Sequence, residues 1–155
     1  MGDEAGARPL FAQSLPVLHA QLKMLQGIGL ANQWEQIGYA EIGSGQTAAG
    51  LDAVAKSLEI LGNNPDQVNG PGIIVTAAQI YSQARRPDLA MPMLAKALAA
   101  PGIGNLYSPV LLWLDPMLDP IRHDPRFQAL LKQYSKYKPA VTYDAGSAAS
   151  SSAVH

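Results

Sequence analysis

Ala55-Lys56-Ser57-Leu58 returns forty residues later as Ala95-Lys96-Ala97-Leu98. The match extends to both sides at the same offset: Trp34 falls against Ile74, Gly38 against Ala78, Gly50 against Ala90, Val54 against Leu94 and Gly62 against Gly102. A fixed internal period is the signature of a repeat architecture, in which each unit buries the apolar face its neighbour exposes. Each unit here reads as two short amphipathic helices joined by a tight turn.

Working outward, residues 31–43 carry Trp34, Ile37, Ala40 and Glu41 at helical spacing. Gly43-Ser44-Gly45 is the turn, and Gln46 or Thr47 opens a second helix whose buried stripe is Leu51, Val54, Leu58 and Leu61. Gly62 to Pro65 stops it, and the segment 63–72 forms a long connection with two prolines and two glycines. Pro71 suits the first turn of the next helix, where its missing N–H is not needed. Ile73, Ile74, Ala77, Ala78 and Tyr81 make that helix's stripe. Arg85 to Asp88 is the second turn. Leu89 to Ala99 form the partner helix, with Ala90, Met93 or Leu94, Ala97 and Leu98 inside and Pro101-Gly102 as its stop.

The repeats are flanked on both sides. Upstream, Arg8 to Leu25 carry Leu10, Phe11, Leu15, Leu18, Leu22 and Leu25 with helical period, a kink expected near Gln13 from Pro16, and Gly27 and Gly29 as the expected end. Downstream, residues 107–114 read as a short apolar helix. The pairs Asp115-Pro116, Asp119-Pro120 and Asp124-Pro125 follow, each an expected N-cap before a residue whose φ is already helical. The last opens a helix over 126–137 with Phe127, Leu130, Leu131 and Tyr134 inside. The expected organisation is a disordered start at 1–7, one repeat domain at 8–138 and a low-complexity disordered tail at 139–155.

Within unit one, Trp34, Ile37, Gly38, Gly45, Gly50 and Leu58 keep the spacing of the tetratricopeptide repeat, which the chain resembles. Within unit two, Ala77, Ala78, Tyr81, Ala90, Leu94, Ala97 and Leu98 keep it more fully. The departures are Glu41 where tyrosine is common, Ser57 where alanine is common, and no closing proline at its usual place. The forty-residue offset exceeds the family's period of about 34 residues, and the segment 63–72 absorbs the excess. The run Leu114 to Leu131 is similar to the closing motif of a bacterial repeat region that follows winged-helix regulators, class III adenylate cyclases and serine/threonine kinases. The resemblance spans roughly residues 9–137, and none of those catalytic or DNA-binding modules lies in this chain.

The resemblance implies an all-α fold of tetratricopeptide-like helical hairpins, an α-solenoid of about seven helices, with a C-terminal capping helix. It implies a protein–protein interaction or regulatory scaffold module of a bacterial signalling protein. The implied partner is a protein or peptide, or an upstream signalling domain, with a cytoplasmic location, or a periplasmic one within a membrane-tethered chain. The first helix of each tetratricopeptide unit lines the concave face. By that spacing the partner-groove candidates are Asn32, Glu35 and Tyr39 in unit one, and Val75, Gln79, Ser82 and Gln83 in unit two. The alternative is a small-ligand sensor in the same groove, favoured by a pocket of Trp34, Tyr39 and Tyr81.

Composition narrows the other classes. Of 155 residues, 48% are hydrophobic and 15% charged, which suits a globular chain. A net charge of −1 leaves no electrostatic footprint for nucleic acid. With no cysteine, disulfides, zinc–thiolate sites and cysteine nucleophiles are excluded. The acidic start is followed by no apolar run fit for a signal peptide, and the longest such run, Val110 to Leu114, is too short to span a membrane. Gly43 to Gly50 lacks the Lys-Ser/Thr ending of a phosphate loop. His19, His123 and His155 show no ligand spacing, and the three Asp-Pro carboxylates are explained by capping without a metal. No catalytic residue, metal or cofactor is expected. Arg122 and Arg126 are expected to pin the closing helix to the last repeat.

Overall fold

A computed structural model describes residues 4–63, 69–100 and 107–135. Every regular element among them is helical. Helix α1 is Glu4–Gln21, running on into a 3-10 turn at Leu22–Met24. Then come α2 (Gly27–Ser44), α3 (Thr47–Asn63), α4 (Gly70–Gln83), α5 (Pro87–Ala99), α6 (Pro109–Leu114), a 3-10 segment at Pro116–Ile121, and α7 (Pro125–Tyr134). The expected tail and the stop at Pro101-Gly102 lie outside the described residues.

The upstream boundaries differ most from the sequence reading. Helix α1 begins at Glu4, inside the segment expected to be disordered. Gly27, expected to end a helix, opens α2 instead, with a left-handed φ of 53° that turns the chain out of the extended Leu25. Ile28 then packs against the core. Burying a side chain of that size outweighs the ~1 kcal/mol that a glycine costs a helix.

Helices α2 and α3 pair, as do α4 and α5, and both first helices end in the same way. At the end of α2 the N–H of Gln46 donates to Glu41 O at 2.7 Å and that of Gly45 to Ile42 O at 2.9 Å. Forty residues on, Arg86 N–H donates to Tyr81 O and Arg85 N–H to Ser82 O, both at 2.8 Å. These are two Schellman closures, which need a left-handed residue at their centre. Gly45 supplies it at φ 95°, and Arg85 supplies it at φ 55° against the Cβ penalty. The period found in the sequence is thus repeated in backbone geometry.

The two crossings differ in width. A Cβ on Gly50 would lie 2.5 Å from Ile42 Cγ1 and 2.8 Å from Gly38 O, so α2 and α3 touch backbone to backbone. The equivalent residues of the second hairpin, Ala78 and Ala90, are fully buried with their methyl groups in place.

Helix α4 is enclosed by α2, α3, α5 and the 3-10 segment 116–121. Its buried residues include Ile73, Val75, Ala77, Ile80 and Ser82, distributed all round, which is the pattern of a core helix rather than a surface one. The closing segment is held by caps: Ser108 accepts from Leu111 N–H, Asp115 from Met117 N–H and Asp124 from Arg126 N–H. The middle pair departs from expectation. Asp119-Pro120 lies inside the 3-10 segment, where the Asp119 carboxylate pairs with Arg122. Phe127 and Leu131 of α7 are fully buried, and α7 packs on α5 and α6.

Candidate functional site

Asn32, Glu35, Gln36 and Tyr39 occupy one face of α2 at spacings of three and four. Across from them, α1 presents Phe11, Ser14 and Leu18 and α4 presents Thr76 and Gln79. Met117 closes one end, and the walls bound a recess of about 730 Å³. A smaller recess of about 420 Å³, with Arg8, Gln83, Arg85 and Pro120, lies beyond the pair Phe11 and Tyr39. Those two rings meet edge to face with centroids 5.4 Å apart and form the wall common to both recesses. Helix α1 is seated by Gln33, whose Nε2 donates to Leu18 O at 2.8 Å and Gln21 Oε1 at 3.0 Å. Phe11 is seated on Gly43, where any Cβ would fall within the ring at 2.5 Å.

The structure divides the seven groove candidates. Asn32, Glu35, Tyr39 and Gln79 line the larger recess. Gln83 lines the smaller one, and its Nε2 donates to Met117 O at 2.8 Å. Val75 and Ser82 reach neither, because both are fully buried. The reason is the enclosure of α4: the face expected to be open is covered by α2 and by the closing segment. Trp34 and Tyr81, the other two aromatics weighed for a pocket, also lie away from it. The Trp34 ring carries Lys56 Nζ 4.2 Å from its centroid and His19 edge-on at 6.2 Å. Tyr81 is a core residue. Sequence reasoning did not include the α1 wall. Its only signal was the helical spacing of Phe11, Ser14 and Leu18 on a helix treated as a flank.

Among the described residues two carboxyls are buried. Glu35 is 4% exposed, its Oε1 has no hydrogen-bond partner, and burial pushes its pKa from 4.5 up to about 9. Glu41 is also raised by burial, with His19 and Lys56 pulling the other way and Asp52 adding to the rise. Its Oε1 lies 3.9 Å from His19 Nε2.

The closing segment crosses α4 through amide contacts. Gln79 Nε2 donates to Asp115 Oδ2 at 2.5 Å, and Gln83 contacts Met117 as above. Of the two arginines expected to pin this segment to the repeat, Arg122 acts inside it, whereas Arg126 pairs inside it and also feels the Asp88 carboxylate of α5. Arg122 pairs with Asp119, donates to Asp115 O at 3.1 Å and lies 5.3 Å from the centre of the Trp113 ring, while Arg126 pairs with Asp124 at 2.7 Å. Among the described residues no three His, Asp or Glu side chains cluster as metal ligands would, and no helix is long and apolar enough to cross a membrane.

No known protein family, curated protein or solved structure matches this chain.

Proposed function

We propose that the chain is a non-catalytic protein–protein interaction or regulatory scaffold module. In this reading its two hairpins are tetratricopeptide-like units, and its partner lies in the recess between α1, α2 and α4. The observation that carries the reading is the way α4 already holds a passing segment of the chain, the entry to the 3-10 turn at Pro116–Ile121. Gln79 and Gln83, two of the groove positions, bind a side chain and a main-chain carbonyl of residues 115–117. An amide that grips passing main chain is what a peptide groove needs, because every peptide offers the same carbonyls. The segment 115–117 occupies the unit-two half of that surface. Asn32, Gln36 and Tyr39 offer the same kind of surface in unit one, and all three are exposed.

The test is site-specific photocrosslinking in cells, with a photoreactive residue at Asn32 or Gln36 and a control at Asp52 on α3. The expected result is one discrete protein adduct from the α2 positions and none from the control. Equal adducts from all three would end the groove reading. A small-ligand sensor is the second reading, favoured by the size of the recess and the buried Glu35 in its wall.

A further inference from the structure

We propose that the recess between α1, α2 and α4 binds an alkylammonium group, with the Glu35 carboxylate as its counter-ion. The inference rests on the recess being the binding site and adds the chemistry of what enters it.

Glu35 Oε1 is a buried acceptor with no partner, in a side chain 4% exposed that lines a recess wide enough for a ligand. Such an atom is costly, and folded proteins rarely leave one without cause. Folding does not require a carboxyl at this position. The same position of the second repeat, forty residues on, is Val75, equally buried. A valine serves the fold there, so the carboxyl of the first repeat answers to something else. Among the described residues no cation neutralises it. The elements packed on α2 carry Arg8 and His19 on α1, Lys23 in the 3-10 turn, Asp52, Lys56 and Glu59 on α3, and Tyr81 on α4; Asp115 and Asp119 lie at the closing segment. Burial alone shifts Glu35, and none of these charges offsets it.

The walls suit an ammonium. Phe11 and Tyr39 line the same recess as Glu35, and aromatic faces attract cations. Asn32 and Gln36 bring amide oxygens to accept the remaining N–H bonds. A single buried carboxylate oxygen fits a compact ammonium better than the planar guanidinium, which seeks two oxygens side by side.

The binding step balances with one proton. In the protein alone, Glu35 is a neutral acid at pH 7. As the ammonium enters, the carboxyl O–H bond breaks, the proton passes to solvent, and the carboxylate accepts an N–H from the cation. Affinity therefore rises with pH, about tenfold per unit below the Glu35 pKa.

The experiment is calorimetric titration of the full chain at pH 6, 7 and 8, in buffers of different ionisation enthalpy. The probes are n-pentylammonium, an N-acetylated and C-amidated lysine pentapeptide, the matching arginine pentapeptide, and 1-pentanol. Binding of either ammonium probe with release of close to one proton, a Kd falling about tenfold per pH unit, and at least tenfold weaker binding of the arginine peptide and the alcohol supports the proposal. Tight binding of the free amine identifies a small metabolite as the source, and binding of the peptide alone identifies a partner's lysine. Glu35→Gln should abolish both proton release and pH dependence, with an unchanged circular dichroism spectrum. Glu35→Val, which installs the residue of the second repeat, should do the same if the glutamine variant fails to fold. Binding without proton release, binding that survives both variants, or no binding of either ammonium overturns the proposal. The crosslinking at Asn32 separates the two readings: an adduct that persists in Glu35→Gln leaves the groove standing and removes the ammonium, and its absence in the wild type removes both.

Discussion

Hairpin α2–α3 and hairpin α4–α5 share a period and a backbone closure, yet they are built to different tolerances. In the first, glycines at 38 and 50 bring two backbones into contact; in the second, alanines hold them a methyl apart. The first closes on a glycine, Gly45, and the second on a strained Arg85. The first keeps a carboxyl, Glu35, where the second keeps Val75. The second is covered by residues 107–135, whereas α2 keeps an exposed polar row facing a recess. The difference teaches that costly features occur in both hairpins, the strained Arg85 and the unpartnered Ser82 hydroxyl in the second, but the first alone sets a buried carboxyl beside an exposed polar row.

The comparison breaks first at the cover. Phe127 is fully buried, so Phe127→Ala should lower stability by about 3–5 kcal/mol in urea unfolding. Tyr39→Ala, on the open hairpin, should cost under about 1 kcal/mol. Equal losses would mean that both hairpins are closed. Next comes the carboxyl. Glu35→Val should raise stability by about 1–3 kcal/mol by removing an unsatisfied buried polar group. The gain should widen as pH rises. The folded protein retains a proton on Glu35 that the unfolded chain releases above pH 4.5, so wild-type stability falls relative to the variant from there to about 9. A pH-independent difference would show that Glu35 is solvated.

Gly50→Ala tests the tight crossing. Its new methyl would meet Ile42 and the Gly38 carbonyl, and a loss of about 1–3 kcal/mol is expected. A variant that melts with the wild type would show the two crossings to be equally wide. The smallest effect concerns the closures: Arg85→Gly should stabilise by about 1 kcal/mol, because glycine takes the left-handed φ without strain. Thermal unfolding should register it as a rise of a few degrees.

Much of this pattern was legible in the sequence because helices write their buried faces at fixed spacing. Val54, Leu61, Ile73, Ile74, Ala77, Ala78, Ala90, Leu94 and Phe127 were read as interior and are buried. The groove was half legible. Asn32, Glu35 and Tyr39 lie where a first-repeat helix faces outward, and they do line the recess. Val75, at the station of Glu35, and Ser82 on the same helix are buried out of reach of the recess, because α4 is packed between α2 and residues 116–121. Spacing within one helix carries no record of which distant segment folds over it. The same gap hid the α1 wall, since a flanking helix and a site-forming helix have the same apolar period. Arg122 was misplaced for a related reason: a charge run does not say whether its partner is three residues away or on another element.

The packing of α2, α3, α5 and the segment 116–121 round α4 also sets an order of opening. Away from the recess wall at Thr76 and Gln79, the central amides of α4 do not meet solvent by local fraying alone. Exposing one requires α2, α5 or the segment 116–121 to detach first. Those amide protons should therefore exchange with deuterium only through global unfolding, and define the slowest class in the molecule. Helix α1 rests mainly on α2 and leaves Leu10 and Val17 in water, so its amides should exchange through a smaller, separate opening. The recess would then widen on a faster clock than the core that supports it.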